Sequence, residues 1–308
     1  MNVIVTHDLT KAYKTHLGAS APPSLDGLNL EIGENEVFGF LGRNGAGKTT
    51  AIKLICSLLK PTRGGATVMG KDVRLPETRR AIGYLPENPY FYEYLNPRET
   101  LDFYGRLNGL NAAARALEWK KLSDLLDLGP IGDKRIREFS KGMRQRLGFA
   151  VALTGDPPVL ILDEPMSGLD PLGRRTIREL ILRLRDEKKT IFFSSHILGD
   201  VEQICDRVGI LVKGKLAIQG RIDALLEGTL QQIEIVASGL TPSADEAIRA
   251  RAVRTRSSED GRHFTVDNAA TANEIVRMIL ANGGALVEFT PIKESLEDYF
   301  MRKQEIAP

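Results

Sequence analysis

The chain has 308 residues, 42% hydrophobic and 27% charged, with 42 Lys and Arg against 40 Asp and Glu for a net charge of +2. That length allows a substantial core and one large or two small domains, and the balanced charge lacks the basic excess of a nucleic-acid binder. Its two cysteines, Cys56 and Cys205, are far apart, which argues against a disulfide framework or a structural zinc site. Residues 1–8 lack the charged and apolar regions of a signal peptide, and no apolar run approaches the roughly 20 residues that span a bilayer. The expectation is a soluble, cytosolic protein that serves any membrane by docking to a separate protein.

In chain order, apolar runs punctuated by glycine predict strands over 3–6, 28–32 and 37–41. A helix is predicted over 48–59, ending before Pro61, followed by strands over 67–69 and 82–85. Asn96-Pro97-Arg98-Glu99 is a helix start, with Asn as cap, Pro at the first position and Glu at the third. Further helices are predicted over 112–128 and 140–154. A strand over 159–162, a helix over 171–188 capped by Asp170, and strands over 190–193, 208–212 and 216–218 complete an alternating α/β core. The helical stretch, 88–157, is an insertion into it. From residue 221 the pattern changes to strand 233–236, helix 244–249, strand 252–256, turn 259–261, strand 264–266, helix 272–281, strand 286–289 and a last helix from Glu294. The order β-α-β-β-α-β is that of a small α+β, ferredoxin-like module. The expected division is therefore 1–220 and 221–308.

Gly42-Arg43-Asn44-Gly45-Ala46-Gly47-Lys48-Thr49, followed by Thr50, fits the phosphate-binding pattern G-x-x-x-x-G-K-[ST] between a strand and a helix. Glycines let backbone N–H groups curl around phosphate oxygens, and the helix N-terminus adds its dipole. Lys48 suits the β- and γ-phosphates, and the Thr49 hydroxyl suits Mg²⁺. Val159-Leu160-Ile161-Leu162-Asp163-Glu164 is an apolar strand ending in two acids. Asp163 suits a Mg²⁺ contact, and Glu164 suits a water that attacks phosphorus. Together these motifs define a P-loop nucleotide hydrolase.

Phe139-Ser140-Lys141-Gly142-Met143-Arg144-Gln145-Arg146 narrows the class, because here the chain resembles the ATP-binding-cassette (ABC) family and its L-S-G-G-Q signature. The resemblance covers about residues 3–220. It implies an adenine-stacking role for Tyr13, a metal-directed role for Glu87 at the Q-loop, a D-loop at Ser167-Gly168-Leu169-Asp170 and a γ-phosphate contact for His196. It also implies that Ser140, Lys141, Gly142 and Met143 face nucleotide held by a second subunit, so that two chains enclose two ATP. Lys141, Met143 and Glu87 depart from the family's Gly, Gln and Gln. These departures, and the ending Glu294-Ser295-Leu296-Glu297-Asp298-Tyr299-Phe300, resemble bacterial ATPases that serve ABC-2-type exporters of drugs, antibiotics or lipids. The resemblance implies a homodimer bound to an integral membrane permease at the cytoplasmic face of the inner membrane, with no nucleic-acid partner. The alternative is a non-transport ABC ATPase acting on nucleic acid or ribosomes; such chains usually carry coiled-coil insertions, a second cassette or strong basic segments, which this sequence lacks. The aromatic run Tyr90 to Leu95 fits either a permease contact or the helical subdomain's own core.

Overall fold

The computed structural model describes residues 1–13, 22–226, 230–258, 260–293 and 296, in two units, Met1–Ile222 and Asp223–Pro308. In the first unit a six-stranded sheet runs, strand beside strand, Lys215–Arg221, Arg207–Val212, Val37–Leu41, Thr190–Ser195, Val159–Leu162 and Ile82–Leu85. All neighbours pair in parallel except the first two. Strands Val37–Leu41, Val159–Leu162 and Thr190–Ser195 are buried along their whole length. Parallel strands covered on both faces read as unbroken apolar runs, which is why these segments are legible without alternation. Phe192 fills the layer beneath, its ring 6.0 Å from Phe38 and 5.3 Å from Phe40. The parallel register has a functional consequence. The chain leaves Leu41, Leu85, Leu162 and Ser195 at one edge of the sheet, and binding crevices form at such carboxyl ends.

A four-stranded antiparallel sheet, ordered Leu25–Gly33, Asn2–Lys11, Arg63–Val68 and Lys71–Asp72, shares the core through Ile4, Leu28, Ile32 and Ile52. The inserted segment holds helices Pro97–Leu107, Ala112–Leu126 and Lys141–Leu153. The capping box is formed: Glu99 N donates to Asn96 Oδ1 at 2.8 Å, and Asn96 N donates to Glu99 Oε2 at 2.9 Å. Among the described residues no helix is long and apolar enough to cross a membrane.

Several predicted boundaries shift. The first helix is Lys48–Ile55 rather than 48–59, because Ser57 takes a left-handed backbone, φ 57°. The helix predicted to reach 128 stops at Leu126, where Asp127 turns left-handed at φ 50°. The first strand is Asn2–Lys11, longer than predicted, because an irregularity at Asp8 breaks the alternation that marks a strand. Helices Pro76–Arg80 and Leu198–Ile204 are too short to show a period and escape prediction.

The second unit contains strand Leu230–Ser238, helix Pro242–Arg249, strands Arg254–Ser258 and Gly261–Val266, helix Ala269–Ala281 and strand Ala285–Lys293. Its antiparallel sheet is ordered Arg254–Ser258, Gly261–Val266, Leu230–Ser238, Ala285–Lys293. Ile235, Ile248, Phe264, Ile275 and Ile279 form its core. The strand predicted over 252–256 sits two residues later, and the helix predicted from Glu294 lies outside the described residues.

Candidate functional site

Four strand ends meet at one cleft of about 620 Å³, lined by Ser24, the loop Arg43 to Thr50, Glu87, Glu164, Ser167 and His196. The glycine-rich loop leaves Val37–Leu41 and closes onto helix Lys48–Ile55, whose first N–H groups have no intrahelical partner. Gly47 caps that helix at φ 109°, and a Cβ there would stand 2.3 Å from the Ser24 carbonyl oxygen. Glycine is thus required by both conformation and space. Ala46 O accepts from Gly214 N at 2.9 Å, which ties the loop to the turn beside the adjacent strand.

Lys48 is 6% exposed, and its ammonium donates to Gly42 O at 2.6 Å and pairs with Glu164 Oε1 at 3.1 Å. The other oxygen of Glu164 is 2.8 Å from His196 Nδ1, so one carboxylate spans the lysine and the histidine. Glu164 has a left-handed backbone, φ 48°, which an L residue holds only under constraint from its surroundings. Ser194, on the neighbouring parallel strand, supplies that constraint. Its hydroxyl accepts from Glu164 N at 2.9 Å and donates to Asp163 Oδ1 at 2.7 Å. Thr49 Oγ1 donates to the same Asp163 oxygen at 3.3 Å, which joins the phosphate loop to the acidic strand. Sequence reasoning gave Ser194 no role. Its position on a strand parallel to the acidic one is the signal that finds it.

Cys56 and Tyr84 both feel the Asp163 carboxylate. Burial, with help from the Asp163 carboxylate, pushes the Cys56 thiol up. Burial and then Asp163 do the same to the Tyr84 phenol. Both stay protonated near neutral pH, so neither adds a negative charge next to Asp163, and Cys56 is a buried core residue.

The other predicted residues divide between this cleft and elsewhere. Glu87 lines the cleft and is exposed. Tyr13 is not among the lining residues; it is 45% exposed, with Lys11 Nζ 5.3 Å from its ring centre. Ser140 caps helix Lys141–Leu153 by accepting from Met143 N at 3.3 Å. Ser140, Gly142, Met143 and Asp170 line a different groove, which the phosphate loop does not reach. Asp170 caps helix Pro171–Asp186 by accepting from Gly173 N at 2.7 Å. Lys141 points along the loop at Gly168, where an added Cβ would collide with its ammonium. Gln145, also without a predicted role, is buried and donates to Pro165 O at 2.8 Å, pinning the turn that follows Glu164.

Residues 25–167 match the family described as ABC transporter. An ABC transporter ATP-binding protein of Synechocystis is 39% identical over 305 residues, covering 98% of this chain and 84% of that protein. The bacitracin transport ATP-binding protein BcrA of Bacillus licheniformis is 36% identical over 307 residues, covering 97% of this chain and 96% of that one. This chain belongs to the ABC transporter ATP-binding family. A solved ATP-binding subunit of an ABC transporter superposes with a TM-score of 0.64 at 30% identity, covering 72% of this chain and 91% of its own. A dimeric ATP-binding cassette bound to ADP and Pi shares the fold at a TM-score of 0.66 and 23% identity, covering 71% of this chain and 98% of its own.

As an ABC ATP-binding protein, the chain is an ATPase that uses ATP and Mg²⁺. The cleft fits both. Its floor is a loop of backbone donors, and Thr49 and Asp163 bring two hard oxygens together beside it. In this ABC protein Ser140, Gly142 and Met143 line a groove separate from the cleft that holds the phosphate loop.

Proposed function

We propose that this chain hydrolyses ATP in a cleft completed by the signature face of a second copy, and that hydrolysis drives export through a separate membrane permease. The observation that carries the reading is the Glu164 carboxylate, held between Lys48 and His196 at the end of the acidic strand. An arriving γ-phosphate competes with Glu164 for the Lys48 ammonium. Transfer of Lys48 to phosphate frees one Glu164 oxygen to receive a proton from water. The water oxygen then bonds to the γ-phosphorus, the bond from phosphorus to the β–γ bridging oxygen breaks, and ADP departs. The loop amides from Asn44 to Thr50 cradle the phosphates, and His196 orients Glu164 and meets the γ-phosphate. Thr49 and Asp163, with Glu87 at the rim, would hold Mg²⁺, which would offset phosphate charge. Tyr13 stacks on adenine. Ser140, Lys141, Gly142 and Met143, with Asp170, face the partner's γ-phosphate.

Relatives named for transport and a dimeric cassette of the same fold support the assembly. The exposed rings of Tyr90, Tyr92 and Tyr94 beside Glu87 suit a permease contact. Residues 221–308 carry none of the proposed catalytic groups and serve as an accessory or regulatory domain. The test is transport by proteoliposomes containing the chain and its membrane partner. ATP-dependent efflux from the side bearing the chain, lost with Glu164→Gln, is expected. Full hydrolysis without any transport, by a complex of correct composition, would overturn the transport half of the reading.

A further inference from the structure

Helix Leu198–Ile204 starts just after His196, and helix Pro171–Asp186 starts directly after Asp170. Asp200 lies between these helices and is 4% exposed. Its Oδ1 accepts from Arg178 Nη1 at 3.3 Å, while its Oδ2 stands 3.9 Å from Arg174 Nη2. The two arginines are one turn apart on the same helix face. The longer separation is an ion pair without a hydrogen bond. Asp200 Oδ2 and Arg174 Nε are consequently shielded from solvent with no hydrogen-bond partner. The slot beside them, lined in part by Ser167, Ser195 and His196, is too narrow for water.

A buried carboxylate with one oxygen unmet is costly and calls for an explanation. Closing the gap by about 1 Å would bring Arg174 into hydrogen-bonding range of Oδ2. The pair is thus half made, and each partner sits directly behind a part of the site. Ser167, before Asp170, lines the cleft, and His196 holds Glu164. We infer that Asp200, with Arg174 and Arg178, is a positioning residue that couples loop 167–170 to His196, its ion pair completing as the cleft closes on ATP. This rests on the ATPase reading above. Asp200 touches no nucleotide; it fixes where two loops stand relative to each other.

The test is a double-mutant cycle in the full-length protein, with Asp200→Asn, Arg174→Gln and the two together. ATP affinity should stay within about twofold while kcat falls about tenfold or more, and the double variant should be no slower than Asp200→Asn alone, because that change already removes the charge that Arg174 meets. An unchanged kcat overturns the inference. So does a parallel loss of kcat, ATP affinity and melting temperature, which is the pattern of a merely structural pair. If Asp200→Asn fails to fold, Arg174→Gln decides by the same criteria, since that side chain is 28% exposed. Glu164→Gln is measured alongside. If it keeps its turnover, the ATPase reading of the site fails; if it is inactive while Asp200→Asn matches wild type, only the coupling fails.

Discussion

Replacing Ser194 by alanine removes one hydroxyl from a residue with no exposed surface. Two hydrogen bonds go with it, the 2.7 Å bond to Asp163 Oδ1 and the 2.9 Å bond from Glu164 N. Asp163 Oδ1 still accepts from Thr49, but the buried Glu164 N–H loses this acceptor. Leaving a buried donor unmet and losing a bond to a charged group together cost about 3 kcal/mol. For a unit of this size that lowers the melting temperature by roughly 6–12 °C. Turnover should suffer as well, because Glu164 is held at φ 48° partly by this bond. A small misplacement of a reacting group commonly costs about 100-fold, so Ser194→Ala should lose between about 10-fold and 100-fold in kcat. The phosphate loop keeps its contacts, so nucleotide affinity should change less than about threefold. Steady-state hydrolysis, nucleotide titration and thermal melting report the three quantities separately. A Ser194→Ala protein with wild-type turnover and wild-type melting would refute the claim that this hydroxyl fixes the two acids.

Ser140→Arg should bind ATP in its own phosphate loop yet hydrolyse poorly, and Lys48→Ala should fail in binding. Mixing the two proteins should restore turnover, because one intact composite site can form; no recovery in a mixture shown to heterodimerise would contradict sharing of the site. Glu87 faces the same cleft as Glu164, so without Mg²⁺ its charge should repel ATP. In EDTA, Glu87→Gln should bind ATP a few-fold more tightly than wild type, with the gap shrinking when Mg²⁺ is added, since a bound cation dominates local charge. Equal affinities in EDTA would place Glu87 outside the nucleotide's field.

The phosphate loop and the acidic strand were legible because their chemistry fixes residue types at short spacing. The parallel core strands were legible because burial on both faces leaves unbroken apolar runs. What escaped lies in contacts across the chain. Ser194 meets Asp163 from 31 residues away, and Gln145 meets Pro165 from 20. Ser and Gln are ordinary residues on a strand and a helix, so only the register between elements gives them their work. Asp200 and Arg174 were hidden for the same reason, and also because seven residues are too few for helix Leu198–Ile204 to declare a period. The three departures from the family's motifs fare differently. The structure brings Glu87 to the cleft and turns Lys141 toward Gly168. Met143 N closes the cap on Ser140, a backbone role that does not depend on the missing glutamine side chain.

The most direct measurement is sedimentation of Glu164→Gln in Mg-ATP, with its hydrolysis rate recorded on the same sample. Lys48, Thr49 and Asp163 are untouched by this change, so ATP should still bind. With the proton acceptor gone, the variant should sediment as an ATP-bound dimer and hydrolyse at less than about one-hundredth of the wild-type rate. Hydrolysis at the wild-type rate would remove Glu164 from the chemistry. A protein that remains monomeric with ATP bound would remove the shared site.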